Sequence, residues 1–92
     1  MEIKVNATRM VRESFSFIVD PINYAQLRSL PLATTVFHKN DGEWVEGTIA
    51  EHDWNKKNQG ENVRVQYNRG SRIARPTDKY PEFYIEKNPL QA

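Results

Sequence analysis

Thr35-Val36-Phe37-His38-Lys39-Asn40-Asp41-Gly42-Glu43-Trp44-Val45-Glu46-Gly47-Thr48-Ile49-Ala50 is the stretch that decides the fold. Two runs of strand-forming residues flank Asp41-Gly42. A two-residue type I′ turn needs positive φ at both central positions, which Gly adopts freely and Asp tolerates, so this pattern predicts a hairpin. A third run, Val63-Arg64-Val65-Gln66-Tyr67, returns after the polar connection Glu51 to Glu61, a candidate functional loop. Alternation turns Val63, Val65 and Tyr67 one way and Arg64 and Gln66 the other. Asn68-Arg69-Gly70-Ser71 reads as a turn and Ser71 to Ala74 as the next strand. After Pro76 and Pro81, Phe83-Tyr84-Ile85 reads as a closing strand or a single helical turn. The fold expected from these elements is mainly β: a small five-stranded antiparallel barrel over residues 32–88, with residues 1–31 as an N-terminal helical or mixed extension.

That extension reads two ways. Ala7, Met10, Val11, Phe15 and Ile18 recur at helical spacing behind Asn6 as an N-cap, whereas Phe15, Phe17 and Val19 alternate as a strand would. Asp20-Pro21 suits a helix start, with Asp as N-cap and Pro in the first turn. A short helix from Pro21 to Leu30, stopped by Pro31, would then dock Tyr24, Leu27 and Leu30 on the barrel. The extension covers an open barrel end or pairs with a second copy of the chain, so a homodimer is one expected partner state.

Composition bounds the function. The 92 residues fit one domain, residues 1–92, with a single modest core. Mean hydropathy is low, −0.77, but aromatics at 11% compensate, each buried ring covering about 150–250 Å². Thirteen basic residues stand against twelve acidic ones, so any attraction to polyanions is local rather than global. Cysteine is absent, which excludes thiolate metal sites and disulfides. With no apolar signal-peptide segment at the start and no run of about 18 apolar residues, the expectation is a cytoplasmic chain with no membrane partner.

The local exception to charge balance is a basic cluster. Arg64, Arg69, Arg72, Arg75 and Lys79 fall within sixteen residues that hold one acidic residue, Asp78. Guanidinium forks match phosphate oxygens in pairs, and aromatic rings stack on exposed bases. The expectation is an arginine-rich face meeting nucleic acid, DNA or RNA, with Trp54 and Tyr80 as stacking residues. The competing reading is a solvated edge strand whose arginines prevent edge-to-edge pairing. A second site is an aromatic pocket of Trp44, Tyr67 and Tyr84, which would hold a protein partner, as a peptide or modified lysine, through cation–π attraction. Its competitor is a barrel core rich in rings. His38 and His52, with no metal-binding spacing, read as ordinary surface residues. No serine sits in a nucleophile context and no glycines cluster around a phosphate. No catalytic residue, metal site or cofactor is expected.

Gly42-Glu43-Trp44-Val45-Glu46-Gly47-Thr48-Ile49, Val63-Arg64-Val65-Gln66-Tyr67 and Tyr84-Ile85, in that order, resemble the Src-homology-type small barrels over residues 34–87. The closest branches are the Tudor, chromo-barrel and KOW groups. The resemblance implies a binding module, for methylated tails, proline-rich peptides, RNA or DNA. One enzyme shares the architecture, the trimethoprim-insensitive dihydrofolate reductase, which lines a tetrameric pore with Val-Gln-Ile-Tyr. The present Val65-Gln66-Tyr67 lacks the isoleucine and follows a much longer N-terminal region, which weighs against a small-barrel reductase.

Overall fold

Asp41 and Gly42 both adopt positive φ, 51° and 83°, the pair of values a type I′ turn requires. They join β3 (Thr35–Asn40) to β4 (Glu43–Trp54) in a register running from Asn40↔Glu43 to Thr35↔Thr48. The computed structural model describes residues 1–6, 14–54 and 62–87. Around the hairpin lie β1 (Glu2–Asn6), β2 (Ser14–Ile22), helix α1 (Tyr24–Ser29), β5 (Asn62–Tyr67), β6 (Ser71–Ala74) and β7 (Phe83–Glu86). All seven strands form one sheet in the order β1-β2-β7-β3-β4-β5-β6. Its ladders are antiparallel except for a single parallel bridge, Val5↔Trp44, between β1 and β4.

The mainly-β expectation holds, but the sheet has seven strands where five were expected. The two additional strands come from the N-terminal third. β1 and β2 pair over Glu2↔Ile18 to Asn6↔Ser14, and β2 continues onto β7 over Val19↔Glu86 to Ile22↔Phe83. Alternation of Phe15, Phe17 and Val19 therefore prevails over helical spacing from residue 14 onward, because those side chains find a sheet face to pack on. Residues 7–13, where the rest of the helical pattern falls, lie outside the described residues.

Helix α1 begins later than Asp20-Pro21 predicts. Those two residues remain in β2, paired with Ile85 and Tyr84. The N-cap is Asn23, whose side chain accepts from the Gln26 backbone N–H at 2.8 Å while Gln26 Oε1 accepts from the Asn23 N–H at 2.9 Å. Two donors satisfied reciprocally outweigh a lone aspartate and proline. The docking face is as expected: Leu27 is fully buried, and Tyr24 and Leu30 pack beside it. His52 on β4 fastens the end of the helix, its Nε2–H donating to the Leu30 carbonyl at 2.7 Å.

Two clusters make up the core. One gathers Ile22, Leu27, Val36, Ile49, Val63, Val65, Ala74 and Phe83; the other gathers Ile3, Val5, Val19 and Phe37, with Phe17, Trp44 and Tyr84 against it. Val36 and Phe37 are adjacent on β3 and belong to different clusters, so β3 is covered on both faces. Strand β4 extends beyond Ala50 to Trp54, with irregular register between Ile49 and Trp54. Truncation of Ile3 to Ala is expected to lower stability by about 2–5 kcal/mol in urea denaturation, because Ile3 is part of the second cluster. An unchanged midpoint would place residues 2–6 outside the core.

Candidate binding groove

Gly47 is the residue on which the groove is built. It lies opposite Val36 on one side and Tyr67 on the other. A Cβ at this position would come within 2.5 and 2.6 Å of the Tyr67 ring and 2.9 Å of the Gln66 carbonyl oxygen. The Tyr67 ring therefore rests on bare backbone of β4. His38 follows Val36 by two residues and shares its face of β3. Its ring lies 6.2 Å from that of Tyr67, inclined by 24°, and 5.2 Å from that of Phe83. From β6, the pairing Val65↔Arg72 brings Arg72 to the same face. Glu82, one residue before β7, accepts a charge-assisted hydrogen bond from Arg72 Nη2 and stands 3.8 Å from His38 Nε2.

His38, Tyr67 and Arg72 line an open groove of about 940 Å³, with Arg69, Asn68, Thr48 and Asn40 among the residues around them. The electrostatics follow from burial. Desolvation, helped by the Arg72 charge, lowers the His38 pKa from its ordinary 6.5, so the imidazole is neutral near pH 7. Desolvation pushes the Tyr67 hydroxyl up to about 12 against the opposing pull of Arg72. Tyr67 is thus a neutral phenol at any working pH. Three polar atoms of this group, His38 Nδ1, Tyr67 Oη and Arg72 Nε, are buried and have no hydrogen-bond partner among the described residues. Each such atom costs about 1–3 kcal/mol. Three together are comparable with the net stability of a small domain, about 5–15 kcal/mol. Buried polar groups are as a rule hydrogen-bonded, so three unsatisfied atoms gathered in this way make the cluster a candidate site for a polar ligand or bound water.

The structure separates residues that the sequence grouped. Register places Arg64 opposite Ile73 and Arg72 opposite Val65, so these two arginines point to opposite faces of the β5–β6 ladder. Arg64 is held by Glu51 Oε1 at 3.0 Å and Gln66 Oε1 at 2.6 Å. Arg69, in the β5–β6 turn, is exposed and lines the groove. Arg75 and Lys79 are exposed on the connection from β6 to β7, where the Arg75 backbone N–H donates to Asp78 Oδ2 at 3.0 Å. Tyr80 packs its ring edge-on to Tyr24 and donates to the Arg75 carbonyl at 2.8 Å, so it serves the core margin more than a stacking surface. The backbone of Trp54 pairs with Asn62, and its side chain lies outside the described residues, as do residues 55–61 of the expected functional loop.

The aromatic trio divides as well. Trp44 and Tyr84 meet edge to face at 4.9 Å in the second core cluster, whereas Tyr67 packs with the first. Of the Val65-Gln66-Tyr67 run, Val65 is buried. Gln66 is exposed and donates to the Tyr67 and Gly70 carbonyls. His38, which lines the groove, and Glu82, which contacts His38 and Arg72, are the residues that sequence reasoning missed, and His38 is a correction to the expected surface histidine: its side chain is 13% exposed, as is that of Glu82. A signal was available for His38, since it is in phase with Val36. Nothing in the sequence marks Glu82, which is brought beside His38 only through the pairing of β7 with β3. Among the described residues, no group of three or more His, Cys, Asp or Glu is arranged to hold a metal, and no helix is long and apolar enough to cross a membrane. The chain matches no protein-family model, no curated protein and no solved structure.

Two consequences are measurable. Gly47→Ala is expected to dislodge the Tyr67 ring, seen as loss of its ring-current effect on the His38 ring protons in NMR spectra, together with lower stability. Unchanged shifts would contradict the close approach. Because the folded-state pKa of His38 lies below its unfolded value, the unfolded chain binds the extra proton; the stability from a neutral His38 is full above about pH 6.5 and is lost as pH falls through the folded-state pKa. Urea midpoints are therefore expected to fall between about pH 7 and 5, and His38→Gln to flatten that fall over the interval in which histidine titrates.

Proposed function

We propose that this chain is a non-catalytic binding module of the small-barrel kind that contacts nucleic acid phosphates along β6 and the groove beside it. The observation that carries the reading is the placement of Arg69 and Arg72 in one open groove beside Tyr67. Arg75 and Lys79 continue the basic surface past the end of β6. That strand is an edge of the sheet, so its outer side is accessible to an extended chain. Arg69 to Arg75 spans six residue steps, roughly 20 Å if extended, a length suited to a single strand rather than a single ion. Support for the barrel kinship with the Src-homology-type group is the run of pairings β1–β2–β7–β3–β4, which returns to β1 through the Val5–Trp44 bridge. In this reading the phosphate contacts are Arg69, Arg72, Arg75 and Lys79. Arg64 is excluded by its position on the other face, and its charge is engaged by Glu51.

The deciding experiment titrates fluorescent single-stranded DNA and RNA between about 50 and 200 mM salt, over which several phosphate contacts lower affinity steeply. Arg69→Ala and Arg75→Ala are each expected to weaken binding across all sequences and to reduce the salt slope by about one. Arg64→Ala is expected to leave affinity and slope unchanged. No binding at low salt, or an affinity indifferent to salt, would overturn the proposal.

A further inference from the structure

We infer that the floor of the groove is a docking point for one tetrahedral oxyanion, a phosphate group, held by Tyr67 Oη, Arg72 Nε and the Nδ1–H of a His38 that takes up a proton as the group arrives. The inference deepens the proposed function and rests on the groove being the binding face. It starts from the three buried polar atoms that have no partner among the described residues. They belong to side chains tied to one another: the His38 and Tyr67 rings lie side by side, and Arg72 and His38 both approach the same Glu82 oxygen.

The chemistry of the three atoms selects the ligand. Arg72 Nε can only donate, and the Tyr67 hydroxyl, kept neutral by burial, donates without repelling an anion. An oxyanion meets both. His38 is the conditional member. With its Nε2–H toward Glu82, the neutral ring offers only a lone pair at Nδ1, which faces an oxyanion unfavourably. Protonation converts Nδ1 into a third donor. Charge argues the same way: Arg72 and Glu82 cancel, so a singly charged phosphodiester leaves the half-buried group net negative unless His38 becomes imidazolium, and a dianion gains still more from that proton. The groups facing His38 are Glu82 before β7, Arg72 from β6 and Tyr67 from β5, with Val45 opposite it on β4; Glu46, paired with Phe37, belongs to the other face of the strand. Of these Glu82 favours the imidazolium and Arg72 opposes it; an anion seated against Arg72 removes that opposition. The Arg72 side chain is 41% exposed and lines the groove, so an anion in the groove can approach it.

The test uses sulfate, a tetrahedral dianion whose charge is constant between about pH 5 and 8, with the full chain and NMR of the His38 ring protons. The expected result is a His38 titration midpoint that moves to higher pH in sulfate. Sulfate affinity should increase about tenfold from pH 8 to 5.5, the change expected for about one unit of pKa shift. Tyr67→Phe, which keeps the ring and removes only the hydroxyl, should weaken sulfate binding, and His38→Gln should abolish its pH dependence. A His38 midpoint unmoved by saturating sulfate, with Tyr67→Phe indistinguishable from the parent, overturns the inference and leaves buried water as the partner of these atoms. Parallel oligonucleotide titrations separate this result from the proposed function. Binding that is salt-dependent but insensitive to pH and to Tyr67→Phe overturns the docking point alone. A sulfate response without oligonucleotide binding upholds the docking point, overturns the nucleic-acid reading and identifies free phosphate as the source.

Discussion

Val36 and Phe37, neighbours on one strand, are both wholly buried on opposite faces of the sheet. The rest of the structure depends on that constraint. A strand with apolar side chains in both phases needs covering on both sides, and a chain of this length must supply both covers from short elements. Val36 is covered by helix α1 together with β5 and β6, and Phe37 by β1 and β2. The Val5–Trp44 bridge then ties the second cover back to the hairpin. The N-terminal third is thus part of the sheet instead of an appendage to it.

The same arrangement creates the groove. Where β3 leaves the first core cluster, the next residue in phase with Val36 is His38, a polar group in a position otherwise filled by apolar side chains. Gly47 leaves no side chain beneath Tyr67, so the tyrosine ring lies down beside the imidazole. Arg72 and Glu82 close the group from β6 and from the approach to β7. His38, Tyr67 and Arg72 are held by three different strands and Glu82 stands one residue before a fourth, so the geometry of the four follows from sheet register, which one face with a buried core fixes firmly. Burial keeps His38 and Tyr67 neutral, and it also leaves polar atoms of the site without partners. The combination sets two neutral rings beside the Arg72–Glu82 ion pair, with the exposed Arg69 at the same groove.

Much of the β-structure was legible in local sequence. The Asp41-Gly42 turn, the alternation of Val63, Val65 and Tyr67, and the docking residues of the helix all stand where the pattern placed them, because turn chemistry and phase are local properties. The start of the helix was misplaced because Asp20-Pro21 and the Asn23–Gln26 box are competing local signals, and pairing of β2 with β7 removes the first from contention. The site was less legible. Clustering in sequence suggested one arginine-rich face, but Arg64 and Arg72 are eight residues apart across a turn. Which faces they share is decided by the register Val65↔Arg72, not by proximity in the chain. The aromatic trio failed as a unit for a related reason: Trp44 and Tyr67 lie on strands whose phases send them to different clusters.

By itself, the sequence determined that the chain forms a strand-rich fold around an Asp-Gly hairpin, and that four of its seven arginines fall between residues 64 and 75. Those follow from side-chain alternation and from the few residues that accept positive φ. Only the tertiary structure decided that residues 14–22 join the sheet, that the arginines divide between two faces, and that His38, Tyr67, Arg72 and Glu82 meet. Their meeting depends on pairings between strands far apart in the chain, and long-range register leaves no mark on the local pattern of any one of them.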